Sequence, residues 1–236
     1  MTTRTHGGSA ADVDYGTIGS GYSAYRRPDG RIARFIARAL GDGRTVLNVG
    51  AGAGSYESIG GTATAVAEHL PFADGSFDAA MTLFGVHHWS DVTAGLREMR
   101  RVTRGPVVIL TCDPTLVRDF WLYAYAPAVL DTEARRYPPV DEIAAALGGT
   151  VSIEAVPIPL DCTDGFNEAY YGRPEMLLDP AVRQSCSAWS FVDDDTREHF
   201  DRTLRDDLAS GAWDERFGHL RNQPAYEGSL VVIHAT

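Results

Sequence analysis

The sequence predicts an α/β chain built on a parallel sheet, and three observations carry that prediction. TVLNVG (45–50) is a short apolar run ending in a glycine-rich turn, FDAAMTLFG (77–85) and PVVILTC (106–112) have the same character, and an amphipathic segment joins the last two. Unbroken apolar runs mark strands covered on both faces. Strand, helix and strand in succession wind as a right-handed parallel crossover.

Each element has its own local signature. Ile32, Phe35, Ile36, Ala39 and Leu40 follow the i, i+3, i+4, i+7, i+8 spacing of an amphipathic helix. Pro28 suits its first turn and Gly41 its stop. In SDVTAGLREMRRVTRG (90–105), Val92, Leu96, Met99 and Val102 share one face, Ser90 is a candidate N-cap and Gly105 a stop. After Asp113-Pro114 come an aromatic run, FWLYAYAPAVL (120–130), a short helix, VDEIAAALGG (140–149), and a strand interrupted by prolines, TVSIEAVPIPL (150–160). Phe200, Leu204 and Leu208 mark a later helix, with Asp193-Asp194-Asp195 at its N-terminus and Gly211 at its end. SLVVIHAT (229–236) is a terminal strand. No repeat or linker divides the chain, so one domain is expected over 1–236, with 1–14 flexible and 114–139 and 161–220 inserted as a helical and aromatic lid.

Composition narrows the function classes. The chain has 236 residues, 44% of them hydrophobic, enough for one sizeable core. A net charge of −11 opposes nucleic acid and anionic membrane as partners, because binding a polyanion needs a basic face. Cys112, Cys162 and Cys186 fit neither a disulfide framework nor a zinc site, and no third ligand accompanies His87 and His88, so no metal is expected. With no apolar signal segment and no run long enough to span a bilayer, a cytoplasmic setting is expected. The oligomeric state is not readable.

VLNVGAGAGSYE (46–57), AEHLPFADGSFDAAMTLFGVHHW (67–89) and LREMRRVTRGPVVILT (96–111) together resemble the class I S-adenosylmethionine-dependent methyltransferases, in particular small bacterial ones acting on metabolites. The resemblance covers roughly 15–115, and the terminal strand suits the family's last sheet strand. It implies a Rossmann-like fold, mostly parallel with helices on both faces, and S-adenosylmethionine as cofactor. Gly50, Gly52 and Gly54 would lie under the cofactor, where residues without Cβ let the backbone approach. Ala67 and Glu68 would lie near adenine, Phe84 and Gly85 beside the methionine amine, and Tyr22, Tyr25, Arg26 or Arg27 over its carboxylate.

Two departures bear on function. The family usually ends its first strand with an acid, where this chain has Asn48. Only 22 residues (55–76) then separate the glycine turn from the strand at Phe77. A helix, a strand, a second helix and a third strand need more than 30 residues, so strand two and its helix are expected to be missing. The ribose-binding carboxylate goes with them, unless Glu57 or Glu68 substitutes. That loss would weaken cofactor binding by roughly 2 to 5 kcal/mol.

For chemistry, His87 and His88 stand at the carboxyl edge of the sheet, where a neutral imidazole takes a proton from an attacking hydroxyl or instead caps the next helix. Asp113 orients a histidine, binds a substrate hydroxyl, or simply shapes the turn before Pro114. Trp89, Trp121 and Tyr125, with Phe120 and Tyr123, are enough to line a substrate pocket, although an aromatic stripe is as readily core. Asp161, Cys162 and Asp164 mark its far rim. The expected function is His-assisted methyl transfer to an O, N or C of a small, partly apolar metabolite, as in natural-product tailoring. Two alternatives stay open: a methyltransferase fold that no longer needs the cofactor and catalyses cyclisation, isomerisation or elimination, and a non-catalytic partner of a methyltransferase.

Overall fold

The structure, a computed structural model, describes residues 24–50, 56, 61–62 and 66–236. Its strands are β1 (Val46–Asn48), β2 (Gly61–Thr62), β3 (Ala79–Leu83), β4 (Val107–Cys112), β5 (Val151–Ala155), β6 (Ile158–Pro159), β7 (Ala225–Tyr226) and β8 (Leu230–Ala235). Its helices are α1 (Gly30–Leu40), α2 (Val92–Val102), α3 (Pro127–Arg136), α4 (Val140–Leu147), α5 (Pro180–Gln184), α6 (Asp194–Ser210) and α7 (Ala212–Phe217). Several 3₁₀ turns link them.

The main sheet runs β2-β1-β3-β4-β8-β5. β1 is parallel to β2 and β3, and β3 to β4, while β8 is antiparallel to both β4 and β5. This is the expected mostly parallel α/β sheet. β4 is buried at all six positions because helices cover both faces. On one face Ile32, Ile36 and Leu40 of α1 pack on Val46, Ala79 and Met81, in continuity with an aromatic and helical layer from the second half of the chain. On the other, Leu96, Met99 and Val102 of α2 and Ile143 and Leu147 of α4 pack on Leu47, Ala80, Val107 and Ile109.

Caps refine the expected boundaries. Asp29 starts α1 by accepting from Arg31 N, and Gly41 ends it at φ +65°. α2 begins at Asp91 rather than Ser90, because the Asp91 carboxylate reaches the Ala94 N–H. Ser90 is engaged elsewhere, donating through N and Oγ to Glu68. α2 also ends at Val102, before Gly105, since Thr103 already bridges to Phe77. Asp193 and Gly211 cap α6 as expected.

Between β1 and β3 the described residues contain one strand, β2, two residues long and paired beside β1 through Leu47↔Gly61 and Asn48↔Thr62. It forms the sheet's outer edge, where the resemblance leads one to expect two strands. Residues 1–14, expected to be flexible, and the rest of the glycine turn lie outside the described residues.

Candidate active site

The carboxyl ends of β1, β3 and β4 face the same side of the sheet, as parallel pairing requires. β1 leads into Gly50, whose φ of +72° is a left-handed conformation open to glycine. β3 leads into Phe84, also left-handed at φ +52°, and then Gly85. A Cβ on Gly85 would stand 2.4 Å from Thr82 Oγ1 and close to the carbonyls of Val49 and Gly50, so only glycine lets the two strand ends converge. Gly52, Gly54 and Tyr22 lie outside the described residues.

Beside this junction lies a small cavity of about 40 Å³, room for a few water molecules. Arg26, Phe84, His87 and His88 line it from the sheet side, Glu133, Arg136 and Tyr137 from α3, and Phe166, Asn167 and Ser187 from the helical layer. Three expected residue groups therefore meet: Arg26, Phe84 and the histidine pair. The α3 and layer residues were not foreseen. Their sequence signal is the i, i+3 pair Glu133 and Arg136 on a helix otherwise buried through Val129, Leu130 and Ala134.

The polar groups are held in place. Asp164 accepts from Arg26 Nε at 2.5 Å and from the Tyr56 hydroxyl at 3.3 Å. The Arg26 guanidinium sits 5.0 Å over the Phe84 ring. Arg136 donates to Ser187 Oγ at 2.8 Å, lies 3.4 Å from His88 Nδ1 and stacks on Phe191. Trp189 Nε1 donates to Asn167 Oδ1 at 3.0 Å, and Asn167 Nδ2 donates to Glu133 Oε2 at 2.7 Å.

The histidines form a stack, His87 lying 3.9 Å from His88 and 4.5 Å from Tyr137 by ring centroids. Burial pushes His88 down to about 4, with Arg136 and Arg26 adding to the shift. Burial, then His88 and the same arginines, push His87 well below the usual range. Both are neutral at pH 7. The sign of the linkage follows: the unfolded histidine binds a proton near pH 6.5 and the folded one does not, so stability is lost as pH falls from 6.5 towards 4. Melting temperatures of the wild type and His88→Gln are expected to converge over that window, and a parallel pair of curves would refute the shift.

Other expected residues lie apart. Asp113 accepts from Thr115 N and Oγ1, holding the turn after β4, and does not line the cavity. Glu68 Oε1 accepts from Ser90 N, Ser90 Oγ and Asp91 N; burial alone would raise this carboxyl, but those donors outweigh it and hold it below the usual range. Trp89 reaches towards Gly50 and packs near Ala67 over Gly95, which puts it beside expected cofactor residues. Trp121 and Tyr125 are buried in an aromatic cluster with Trp213, and Tyr125 donates to Asp207. Both belong to the core cluster of the helical layer, and Tyr125 also lines an open pocket of about 460 Å³ with Pro127, Asp193, Thr196 and His199. The rings that line the cavity beside the strand ends are Phe84, Tyr137 and Phe166. Asp161 pairs with Arg31 at the surface, Cys162 is a buried free thiol, and Asp164 reaches the site through Arg26. Among the described residues no cluster can hold a metal ion, and no helix is long and apolar enough to cross a membrane.

Asn48 tests whether a cofactor fits. It ends β1 with 1% of its surface exposed, and neither its Oδ1 nor its Nδ2 has a partner among the described residues. An orphaned amide beside a left-handed glycine turn suits a polar ligand that supplies the missing bonds. The residues present therefore fit S-adenosylmethionine, which Asn48, Gly50, Ala67 and Phe84 would hold. Once bound, the group supplies an electrophilic methyl on a sulfonium.

A doubly covered, mostly parallel sheet with a glycine turn after its first strand and a polar cavity at its carboxyl edge defines a Rossmann-like methyltransferase fold. Residues 53–109 match the methyltransferase domain family. A protein from Anabaena variabilis, provisionally assigned as a methyltransferase of an antibiotic biosynthesis pathway, superposes with a TM-score of 0.83 at 28% identity, covering 91% of this chain and 100% of its own. Demethylmenaquinone methyltransferase of Mycolicibacterium vanbaalenii is 51% identical over 47 residues, 20% of this chain and 21% of that protein. The uncharacterized protein YafE of Escherichia coli is 42% identical over 60 residues, 24% of this chain and 29% of its own. The matches to these curated relatives thus span under a third of each relative's length. The [4+2]-cyclase SpnF shares the fold, with a TM-score of 0.50 at 14% identity over 96% of each chain.

Proposed function

We propose that the protein transfers a methyl group from S-adenosylmethionine to a small metabolite, as one methyltransferase-like unit over 1–236 in which 114–139 and 161–220 act as a lid. One observation carries this reading: the orphaned amide of Asn48 and the polar cavity of His87, His88 and Arg136 stand at the same sheet edge. The Anabaena relative's assignment to antibiotic biosynthesis supports a natural-product tailoring role. Alignment of acceptor and donor is the main contribution such a site makes. The neutral histidines assist by accepting a hydrogen bond from the acceptor, although a group pushed down to about 4 is a weak proton acceptor at pH 7.

The 22 residues of 55–76, with β2 the one strand among the described residues there, support a deletion of one strand with its helix, which would remove a ribose contact. Calorimetric titration is therefore expected to give binding of S-adenosylmethionine and S-adenosylhomocysteine at micromolar rather than nanomolar concentrations. No heat at millimolar ligand, in a folded sample, would overturn the proposal. The same short segment favours a second reading, a cofactor-independent cyclase, isomerase or eliminase on this fold. Turnover of a metabolite without added S-adenosylmethionine would decide for it.

A further inference from the structure

A second orphaned polar group stands at the glycine turn. The Trp89 side chain is half-buried, and its indole N–H has no acceptor among the described residues. The six-membered ring sits in a notch at Gly95, where a Cβ would stand 2.6 Å from Trp89 Cε3, 2.9 Å from Cζ3 and 3.3 Å from the Ala67 Cβ. The far edge of the indole carries Nε1, which lies 3.3 Å from where a Cβ of Gly50 would be. A side chain at Gly95 would therefore push the ring off its seat and move the N–H away from the turn.

The backbone around Trp89 is fixed as well. Its N–H donates to the Val86 carbonyl and closes the turn Val86–His88. The next two backbone N–H groups, of Ser90 and Asp91, and the Ser90 hydroxyl all donate to Glu68 Oε1. Glu68 is thus engaged in holding the loop that carries Trp89, which counts against it as a substitute for the ribose-binding carboxylate. Trp89 and Asn48 approach the end of β1 from opposite faces of the sheet. Leu47 packs in the α2 and α4 layer, as Trp89 does, and Asn48, one residue on, alternates to the face of Val46 and α1. Two side chains with no polar partner among the described residues therefore flank one glycine turn, as a polar ligand lying across the sheet edge requires.

We propose that the Trp89 indole N–H donates to a ribose hydroxyl of the cofactor, standing in for the strand-two carboxylate this chain is proposed to lack, with Gly95 and Glu68 as positioning residues. A hydroxyl oxygen accepts a hydrogen bond as well as donating one, so a donor at the turn recognises ribose where the usual acceptor is gone. The indole is a neutral donor with no acceptor capacity, so the contact is a single neutral hydrogen bond and does not depend on the charge of the site. The inference rests on the methyltransferase reading for the identity of the ligand, and it moves Trp89 from the substrate wall, where its aromatic character placed it, to the cofactor.

Acrylamide quenching of tryptophan fluorescence isolates Trp89, because Trp121, Trp189 and Trp213 are only 4%, 2% and 0% exposed. Adenosine and S-adenosylhomocysteine are expected to protect the quenchable fluorescence, and methionine to leave it unchanged. In calorimetric titrations the wild type should bind adenosine more tightly than 2′,3′-dideoxyadenosine. Trp89→Phe keeps an aromatic ring at Gly95 and loses the N–H. It should weaken adenosine about fivefold, the share of one neutral hydrogen bond, and leave dideoxyadenosine unchanged. Gly95→Ala should narrow the same gap by displacing the ring. An equal gap in wild type and Trp89→Phe, protection by methionine but not by adenosine, or no adenosine binding by protein that does bind S-adenosylhomocysteine would each overturn this inference and leave the methyltransferase reading standing. Folded protein that binds neither adenosine nor S-adenosylhomocysteine would overturn both.

Discussion

Asn48→Asp is expected to destabilise the cofactor-free protein by roughly 2 to 4 kcal/mol at pH 7 and to tighten S-adenosylmethionine binding about tenfold. Both effects have one origin. The Asn48 side chain is buried with no donor or acceptor to meet it among the described residues, so a carboxylate there would lose its water without a replacement from them. Its folded pKa would rise well above the unfolded value of about 3.9. The protonated form then favours folding. Its contribution is fully present below the unfolded pKa and is lost as pH rises through the folded one. The stability gap between variant and wild type, measured by urea melts, should therefore be small near pH 4 and widen towards neutrality. A cationic ligand reverses the preference, because a charge-assisted bond exceeds a neutral one by about 1 to 1.5 kcal/mol, or roughly tenfold in affinity. A gap independent of pH, with an unchanged calorimetric affinity, would show that Asn48 does not face a ligand.

Asp164→Asn is expected to cost about 3 to 5 kcal/mol and to lower the melting temperature by roughly 10 °C. The Arg26 and Asp164 side chains are 9% and 1% exposed, so water screens the pair little and losing the carboxylate removes a buried charge–charge contact. Asp164 also receives the Tyr56 hydroxyl, and Tyr56 OH in turn receives the Asp29 N–H at the start of α1. The backbones of the two segments are joined as well, through a bridge between Arg26 and Asp164 and a Gly165 N–H donated to Tyr25. The same substitution should loosen the cavity, since Arg26 lies over Phe84. Arg38–Glu154 is the control: with side chains 62% and 53% exposed, its disruption should cost at most about 1 kcal/mol. Equal losses from both variants would mean that the buried pair is screened like the exposed one.

The strands, the two amphipathic helices and their order were legible because burial on a sheet imposes period and composition along the chain. Ile32, Ile36 and Leu40 on α1, and Leu96, Met99 and Val102 on α2, face the core as their spacing predicts. The glycine turn was legible too, because a left-handed φ at Gly50 and the close approach at Gly85 restrict residue type at single positions. The helical layer was less so. Trp121 and Tyr125 have the composition of a binding wall and the environment of a core, and which of these holds depends on Trp213 and Asp207, about 80 to 90 residues away.

By itself the sequence determined the sheet, its covering helices, the glycine turn and the histidines at the carboxyl edge, all of which follow from the pattern of neighbouring residues. Only the tertiary structure decided that Glu133 and Arg136 line one cavity with His88, that Asn167 holds Glu133, that Asp113 and Glu68 accept from Thr115 and from Ser90 and Asp91, and that Asn48 has no partner among the described residues. Whether a polar side chain is satisfied or left open to a ligand depends on which distant groups the fold brings within about 3 Å, a distance that no local pattern encodes.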